Sequence, residues 1–451
     1  MSTKPNNKNI VICLDGTNNQ FGKDNTNIIK LYRMLERNPQ EQITYYDPGV
    51  GTMGDPLYKS GLAKTITQIL GSAFGQGMME NVMQAYEFLM DQYEDGDSVF
   101  IFGFSRGAYT ARVLAAFIKQ CGLFERGATN LFPYAEKLFL EPVPEDENEK
   151  TEYYKLRSSF RSTYGRLLNH AGDPLHPGKK TPPNYQLRIN FLGLLDTVKS
   201  YGWLYDQPII HNEMENPSVL NVRHAIAIDE KRIFFRQAHW LASKGAQTCK
   251  EVWFAGSHSD VGGGYPESDS GLAKIVLEWI VHEALPFGLK LNAKRYGRAL
   301  QRKRDKGQWT KLPSLIEDGE IRFSAPDPKA KAHESLESAW KVAQLLPAVP
   351  KPWEVANNKN MRTIKSEQER LDSDEDHNRL IIHRSVLERI QAPEVKYEPQ
   401  NLKAAIINLL NRSIGEGTAD ASSDLLSLIG QSPPENIEDT KPIEEIKDFI
   451  P

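Results

Sequence analysis

Residues 98–108 read Ser98-Val-Phe-Ile-Phe-Gly103-Phe-Ser105-Arg-Gly107-Ala108, and the fold turns on this stretch. Val99 to Phe102 is a continuous apolar run, which a strand shows when both faces of its sheet are covered. Ala108 to Ile118 carries the spacing of a helix. Between them lies Gly-X-Ser-X-Gly, and a strand before it with a helix after it is the context that makes the pattern a nucleophile elbow. Such a turn holds its serine on a strained backbone so that the hydroxyl projects above the strand end, and only small residues fit two positions away. Gly103 and Gly107 meet that need. The helix aims its first amides and positive dipole end at the same point, which favours a developing oxyanion, with the Arg106 N–H as one donor.

Upstream, Asn9-Ile-Val-Ile-Cys-Leu14 reads as a second buried strand delivering the loop Asp15-Gly16-Thr17-Asn18-Asn19. Hydrolases built around such an elbow offer their second oxyanion amide from this position, so Gly16 or Thr17 N–H is the candidate. A helix capped from Asp24 to Asn27, a strand over 43–46 and a helix over 71–90 follow. The stripe Met79, Val82, Met83, Tyr86 and Met90 reads as core packing. Downstream, an apolar run over 187–195 ends in Asp196, and another over 251–255 leads to His258. Strands alternating with helices predict a mostly parallel sheet covered on both faces.

A serine hydroxyl is a poor nucleophile until a histidine takes its proton, and that histidine needs a carboxylate to hold its tautomer. Ser105, Asp196 and His258 follow the chain order expected for this turn, each at a strand end. His170 and His176 fall before Asp196 in a Pro/Gly-rich stretch, and His224, His239 and His282 sit in helix-like stretches. His211, His333 and His377 lack a preceding strand, which leaves His383, after Leu380-Ile-Ile, as the competitor of His258. Asp15 is read as a brace for its turn, and Asp260 either orients His258 or joins Asp15 in a hard-cation site. Gly262-Gly-Gly264 lacks the Gly-Lys-Ser/Thr ending of a phosphate loop.

The regular pattern breaks between Phe124 and Gln186, where acidic, basic-aromatic and Pro/Gly-rich stretches succeed one another. Residues 124–186 are expected to be an insertion over the sheet edge, forming a lid or acyl-chain pocket. The expected division is a catalytic domain over 1–395, with 298–395 as its polar peripheral part, and a helix with a mobile acidic tail over 396–451. The 451 residues carry 55 Lys plus Arg against 59 Asp plus Glu, a net charge of −4, which argues against nucleic acid as a partner. Three scattered cysteines, Cys13, Cys121 and Cys249, exclude a disulfide framework or a Cys-based zinc site. A polar N-terminus with no signal-peptide core, and no apolar run of membrane length, point to a protein that starts in the cytoplasm.

Five motifs in order carry a family likeness: Ile10-Val-Ile-Cys-Leu-Asp-Gly-Thr-Asn-Asn19, Gly103-Phe-Ser-Arg-Gly-Ala108, Leu192-Gly-Leu-Leu-Asp-Thr-Val198, His224-Ala-Ile-Ala-Ile-Asp-Glu230 and Phe254-Ala-Gly-Ser-His-Ser-Asp-Val-Gly-Gly-Gly-Tyr265. Together they resemble the catalytic domain of bacterial type VI secretion lipase effectors of the first family, from about Asn9 to near Val386. The resemblance implies an α/β-hydrolase of phospholipase A1 or A2 type with a triad at Ser105, Asp196 and His258. It also implies a phospholipid or other acyl-ester substrate, contact with a membrane surface, an immunity or secretion-delivery partner, and export by a type VI machine. No cofactor is required. Two rivals stand beside this reading: a metal-dependent phosphohydrolase using Asp15, His258 and Asp260, and a non-catalytic hydrolase-like interaction module.

Overall fold

The computed structural model describes residues 7–16, 22–49, 73–168, 184–198, 214–232, 235, 238–241, 247–305, 308–311, 317–318, 321–336, 362, 364 and 381–406. Its centre is a seven-stranded sheet whose pairings are all parallel. The strands are β1 (Asn9–Leu14), β2 (Gln42–Asp47), β3 (Ser98–Phe104), β4 (Phe191–Leu195), β5 (Asn221–Ala227), β6 (Thr248–Phe254) and β7 (Ile381–Ile382). Their spatial order is β7-β6-β5-β4-β3-β1-β2. The chain winds outward from β1 to the β2 edge and then from β3 towards the β7 edge, so the reversal of direction falls between β1 and β3. Open α/β sheets bind ligands outside the carboxyl ends of the strands at such a reversal. Leu14 pairs with Gly103 there, which brings Asp15 and Ser105 to the same rim.

Alternation along the strands loads both faces. Ile10, Ile12, Leu14, Val99, Ile101, Leu192 and Leu194 pack with helices α2 (Ala73–Gln92) and α3 (Arg106–Cys121). Val11, Cys13, Phe100, Phe102, Phe104, Phe191 and Phe254 pack on the other face with α1 (Asn27–Met34). The expected Met and aromatic stripe is core, with Met79, Val82, Met83, Tyr86 and Met90 all buried. Thr26 caps α1 through its side chain, which accepts from the Ile29 N–H.

His224 lies on β5, a central strand, where the sequence reads as helix-like. Arg223 and His224 break the apolar run that marks the other strands, and tertiary partners make them tolerable there. Arg223 is held by Glu283 and Thr248, and His224 Nδ1 lies 2.7 Å from Glu251 Oε1. Neither partner is visible from local periodicity.

The segment after Phe124 forms α4 (Phe132–Leu140) and α5 (Glu147–Tyr164). Both pack on the C-terminal half of α3: Phe139 meets Phe117 edge-on at 5.2 Å, and Arg157 and Arg161 donate to Gln120 and to the Lys119 carbonyl. A helical rise of 1.5 Å per residue puts that end of α3 about 20 Å from Ser105. These contacts place part of each helix against the half of α3 that lies away from Ser105. Residues 169–183 of the expected lid lie outside the described residues, as does the expected tail beyond residue 406.

Candidate active site

Ser105 sits between β3 and α3 with φ 57° and ψ −123°, a conformation that L residues rarely adopt. The two glycines around it are required for different reasons. A Cβ on Gly103 would lie 2.5 Å from the Gly107 carbonyl oxygen, inside the turn itself. A Cβ on Gly107 would lie 2.3 Å from the Leu14 oxygen and 2.4 Å from the Asp15 oxygen, so the second glycine lets α3 close onto the end of β1. The Ser105 N–H donates to the Leu195 carbonyl at 3.0 Å, and the Val198 N–H donates to the Ser105 carbonyl at 3.3 Å. Those two bonds tie the elbow to the loop that carries Asp196.

Three side chains meet at this rim. His258 Nε2 lies 2.8 Å from Ser105 Oγ, and His258 Nδ1 lies 2.6 Å from Asp196 Oδ2. The serine comes from the end of β3, the aspartate from the end of β4, and the histidine from the first residue of the short helix α6 (His258–Gly262) after β6. All three are buried. With Nδ1–H donated to the carboxylate, Nε2 is left as the acceptor facing the hydroxyl. This is the geometry a general base needs.

Aromatic rings enclose the imidazole. Phe104 lies 4.7 Å from it and Phe235 crosses it edge-on at 4.9 Å. Gly262 leaves room for Phe104, since a Cβ there would come within 1.8 Å of that ring. Burial in this apolar slot lowers the His258 pKa below its ordinary value, and the Asp196 carboxylate only partly offsets that. The sign follows directly. A depressed pKa keeps the imidazole neutral, and so able to accept a proton, further into the acid range. The acid limb of kcat/KM is therefore expected to have its midpoint below pH 6.5. A pH-rate profile checks this, and a midpoint above that value would contradict it.

Asp196 also holds an unusual backbone, φ 41°. Its Oδ1 accepts from the Ala227 N–H at 2.9 Å, and Arg362 grips both oxygens, with Nη2 3.0 Å from Oδ2. Burial alone would raise this carboxyl, but Arg362 and His258 more than reverse the effect and hold it below the usual carboxylate range. Arg362 is fixed in turn by the carbonyls of Phe235 and Ala227. Sequence reading did not single out Arg362, which stands 166 positions from its partner in a polar stretch with no local signal.

Glu230 is a second residue whose role was not read. It accepts from the His258 N–H at 3.2 Å and from the Arg232 guanidinium. Burial works against its charge, yet Arg232 brings the carboxyl down to about 2. Its neighbour Asp229 accepts from the Gly256 N–H at 2.6 Å. The Asp229-Glu230 pair thus fixes the loop that delivers His258, and the pair does close one of the five sequence motifs.

Asp260 occupies the third position of a capping box with Ser257 and accepts from both the backbone and the ring of His333. It braces the loop, while the two nitrogens of the His258 ring are taken by Ser105 and Asp196. Asp15 accepts from the Gly16 N–H at 2.7 Å, from Thr26 Oγ1 and from the Tyr46 hydroxyl at 3.0 Å. Both carboxylates thus spend oxygens on protein donors. Among the described residues no group of three His, Cys, Asp or Glu is placed to hold a metal ion. The Gly16 amide, offered as a second oxyanion donor, is turned to Asp15 here, and Thr17 lies outside the described residues. Arg106 begins α3 directly after the serine, and burial lowers its guanidinium to about 9, which leaves it charged at neutral pH. His383 is a helix cap: its Nδ1 accepts from the Ser385 N–H while its ring stacks on Phe254 at 4.6 Å.

Residues 8–283, more than half of the chain, match the family model described as T6SS, phospholipase effector Tle1-like, catalytic domain. A Saccharomyces cerevisiae relative, the uncharacterized protein YEL023C, is 35% identical over 237 residues, which make up 51% of this chain and 32% of that protein. The chain thus spans about a third of that relative's length. Among solved structures, an uncharacterized protein from Pseudomonas aeruginosa aligns at 16% identity and a TM-score of 0.35, over 63% of this chain and 46% of that one. The Tle1 effector bound to the VgrG spike of the type 6 secretion system aligns at 19% identity and a TM-score of 0.29, over 59% and 52%.

Proposed function

The chain belongs to the family of T6SS phospholipase effector Tle1-like catalytic domains, and from that premise we propose that it is a serine carboxyl-ester hydrolase acting on phospholipids. The observation that carries the reading is the single line of contacts from Ser105 Oγ through His258 to Asp196. In the proposed reaction Ser105 Oγ attacks the ester carbonyl as its proton passes to His258 Nε2. The carbonyl oxygen, now an oxyanion, faces the N-terminal amides of α3, Arg106 N–H first among them. Collapse of the tetrahedral species expels the alcohol, which takes the proton from His258. Water then repeats the sequence on the acyl-enzyme and releases the fatty acid. Asp196 keeps the proton of Nδ1 in place throughout and stabilises the imidazolium that forms.

Two observations favour this chemistry over the metal-dependent alternative. Asp15 and Asp260 are both held by protein donors, and the nitrogens of His258 are committed to a hydroxyl and a carboxylate. Among the described residues no helix is long and apolar enough to cross a membrane. A phosphatidylcholine, phosphatidylethanolamine and phosphatidylglycerol panel read by mass spectrometry tests the substrate class. Release of fatty acid and a lysophospholipid by the wild type supports the proposal, and the position of the remaining acyl chain assigns A1 or A2 specificity. Turnover of short-chain esters with no phospholipid cleaved would refute the substrate while leaving the serine chemistry intact.

A further inference from the structure

A cavity of about 260 Å3 opens on the flank of α1, and its chemistry is unlike that of the Ser105 site. Lys23, Lys30, Arg33, Arg37, Arg295 and Arg298 line it against one carboxylate, Glu267, a formal surplus of five positive charges. Met34, Ala299 and Phe323 supply a short apolar wall. Lys30 is 5% exposed, and its Nζ pairs with Glu267 Oε1 at 2.9 Å. Glu267 is shared with a second buried lysine, Lys274, through its other oxygen at 2.9 Å. Burial first, and then repulsion from Lys30, lowers Lys274 to about 7. Arg37 and Arg295 each donate to carbonyls near the end of α1, those of Tyr32 and Arg33. That use takes one N–H of each guanidinium, and Arg37 also lies over the Tyr32 ring at 4.5 Å.

Cations concentrated in a concave, partly desolvated site repel one another unless an anion joins them. Arginine forks match phosphate oxygens bidentately, and a single carboxylate or chloride would offset only a fraction of the surplus. The volume is below the range typical of drug-sized pockets, which favours a compact ligand over a polymer. We propose that this cavity is a binding site for a compact ligand carrying two or more phosphate groups, distinct from the ester-cleaving site. It shares no residue with Ser105, Asp196 or His258. The ligand is either a free phosphorylated small molecule or the headgroup of a phosphorylated lipid; both present the same clustered oxygens.

The test uses the full chain and reads binding, so it is independent of the hydrolase proposal. Inorganic pyrophosphate and myo-inositol hexakisphosphate are titrated calorimetrically. Phosphatidylcholine vesicles with and without phosphatidylinositol 4,5-bisphosphate are tested by co-sedimentation. Arg33 and Arg295 are exposed, so R33Q/R295Q is expected to melt as the wild type does. The expected result is saturable binding weakened at least tenfold in that variant, with R37Q, at a separate exposed position, giving a smaller loss. Binding to soluble probes assigns a free ligand, and binding only to the bisphosphate vesicles assigns a headgroup. A wild type that binds none of these probes, or variants that bind them as the wild type does, would overturn the proposal.

Discussion

Ser105→Ala is expected to lower kcat for ester hydrolysis by about 10⁶-fold, the size of effect seen when a hydrolase loses its nucleophile. The alanine keeps the Cβ and the backbone angles of the elbow, so the strain stored at φ 57° is unchanged and the melting temperature should stay within about 1 °C of the wild type. Only the hydroxyl disappears, and with it the 2.8 Å contact to His258 Nε2. Oxyanion donors and substrate contacts remain, which is why a small residual rate above solution hydrolysis is expected. Retention of more than about one part in a hundred of wild-type kcat by a correctly folded variant would remove Ser105 from the reaction.

Asp196→Asn should act on rate and stability together. The amide offers one acceptor and one donor group where the carboxylate offers two acceptors. Its NH2 faces Arg362 in either orientation, because Arg362 grips both oxygens, and in the Oδ2 position it faces the His258 Nδ1–H as well. If it faces His258, the ring adopts the wrong tautomer and Nε2 carries a proton towards Ser105, a change that costs about 10⁴-fold in kcat. In either orientation the buried Arg362 guanidinium loses its counter-charge, and breaking such a pair costs about 3–5 kcal/mol. The variant is therefore expected to be slow at every pH and to unfold at lower denaturant than Ser105→Ala. Denaturation curves and rates at a temperature where both proteins are folded separate the two effects. Equal stability of the two variants would show that Arg362 does not depend on Asp196.

The parts of this molecule that were legible in the sequence are those whose cause is local. Val99–Phe102 and Ile10–Leu14 read as strands because sheet burial on both faces demands unbroken apolar runs. Ser105 was legible because strain at a sharp turn restricts its neighbours to glycine, and Asp196 and His258 because each ends an apolar run in the required order. What escaped has a distant cause. His224 reads as part of a helix until Glu251, across the sheet, explains how a polar residue sits on a central strand. Arg362 grips Asp196 from far along the chain, and no periodicity announces it. The helices of 132–164 carry an aromatic and charged composition that names no packing partner, and their contacts with Phe117 and Gln120 come from tertiary structure alone. The Gly16 amide was assigned by its place in the chain, whereas its hydrogen bond to Asp15 depends on a side-chain rotamer that sequence does not encode.

Covalent labelling probes the linked geometry at its reacting atom. A fluorophosphonate incubated with the folded protein should add once, to the peptide that contains Ser105. The labelling rate should rise with pH as His258 loses its proton, should fall sharply in Asp196→Asn, and should vanish in Ser105→Ala. An unreacted Ser105 in folded protein, or a label located on a different serine, would contradict the account.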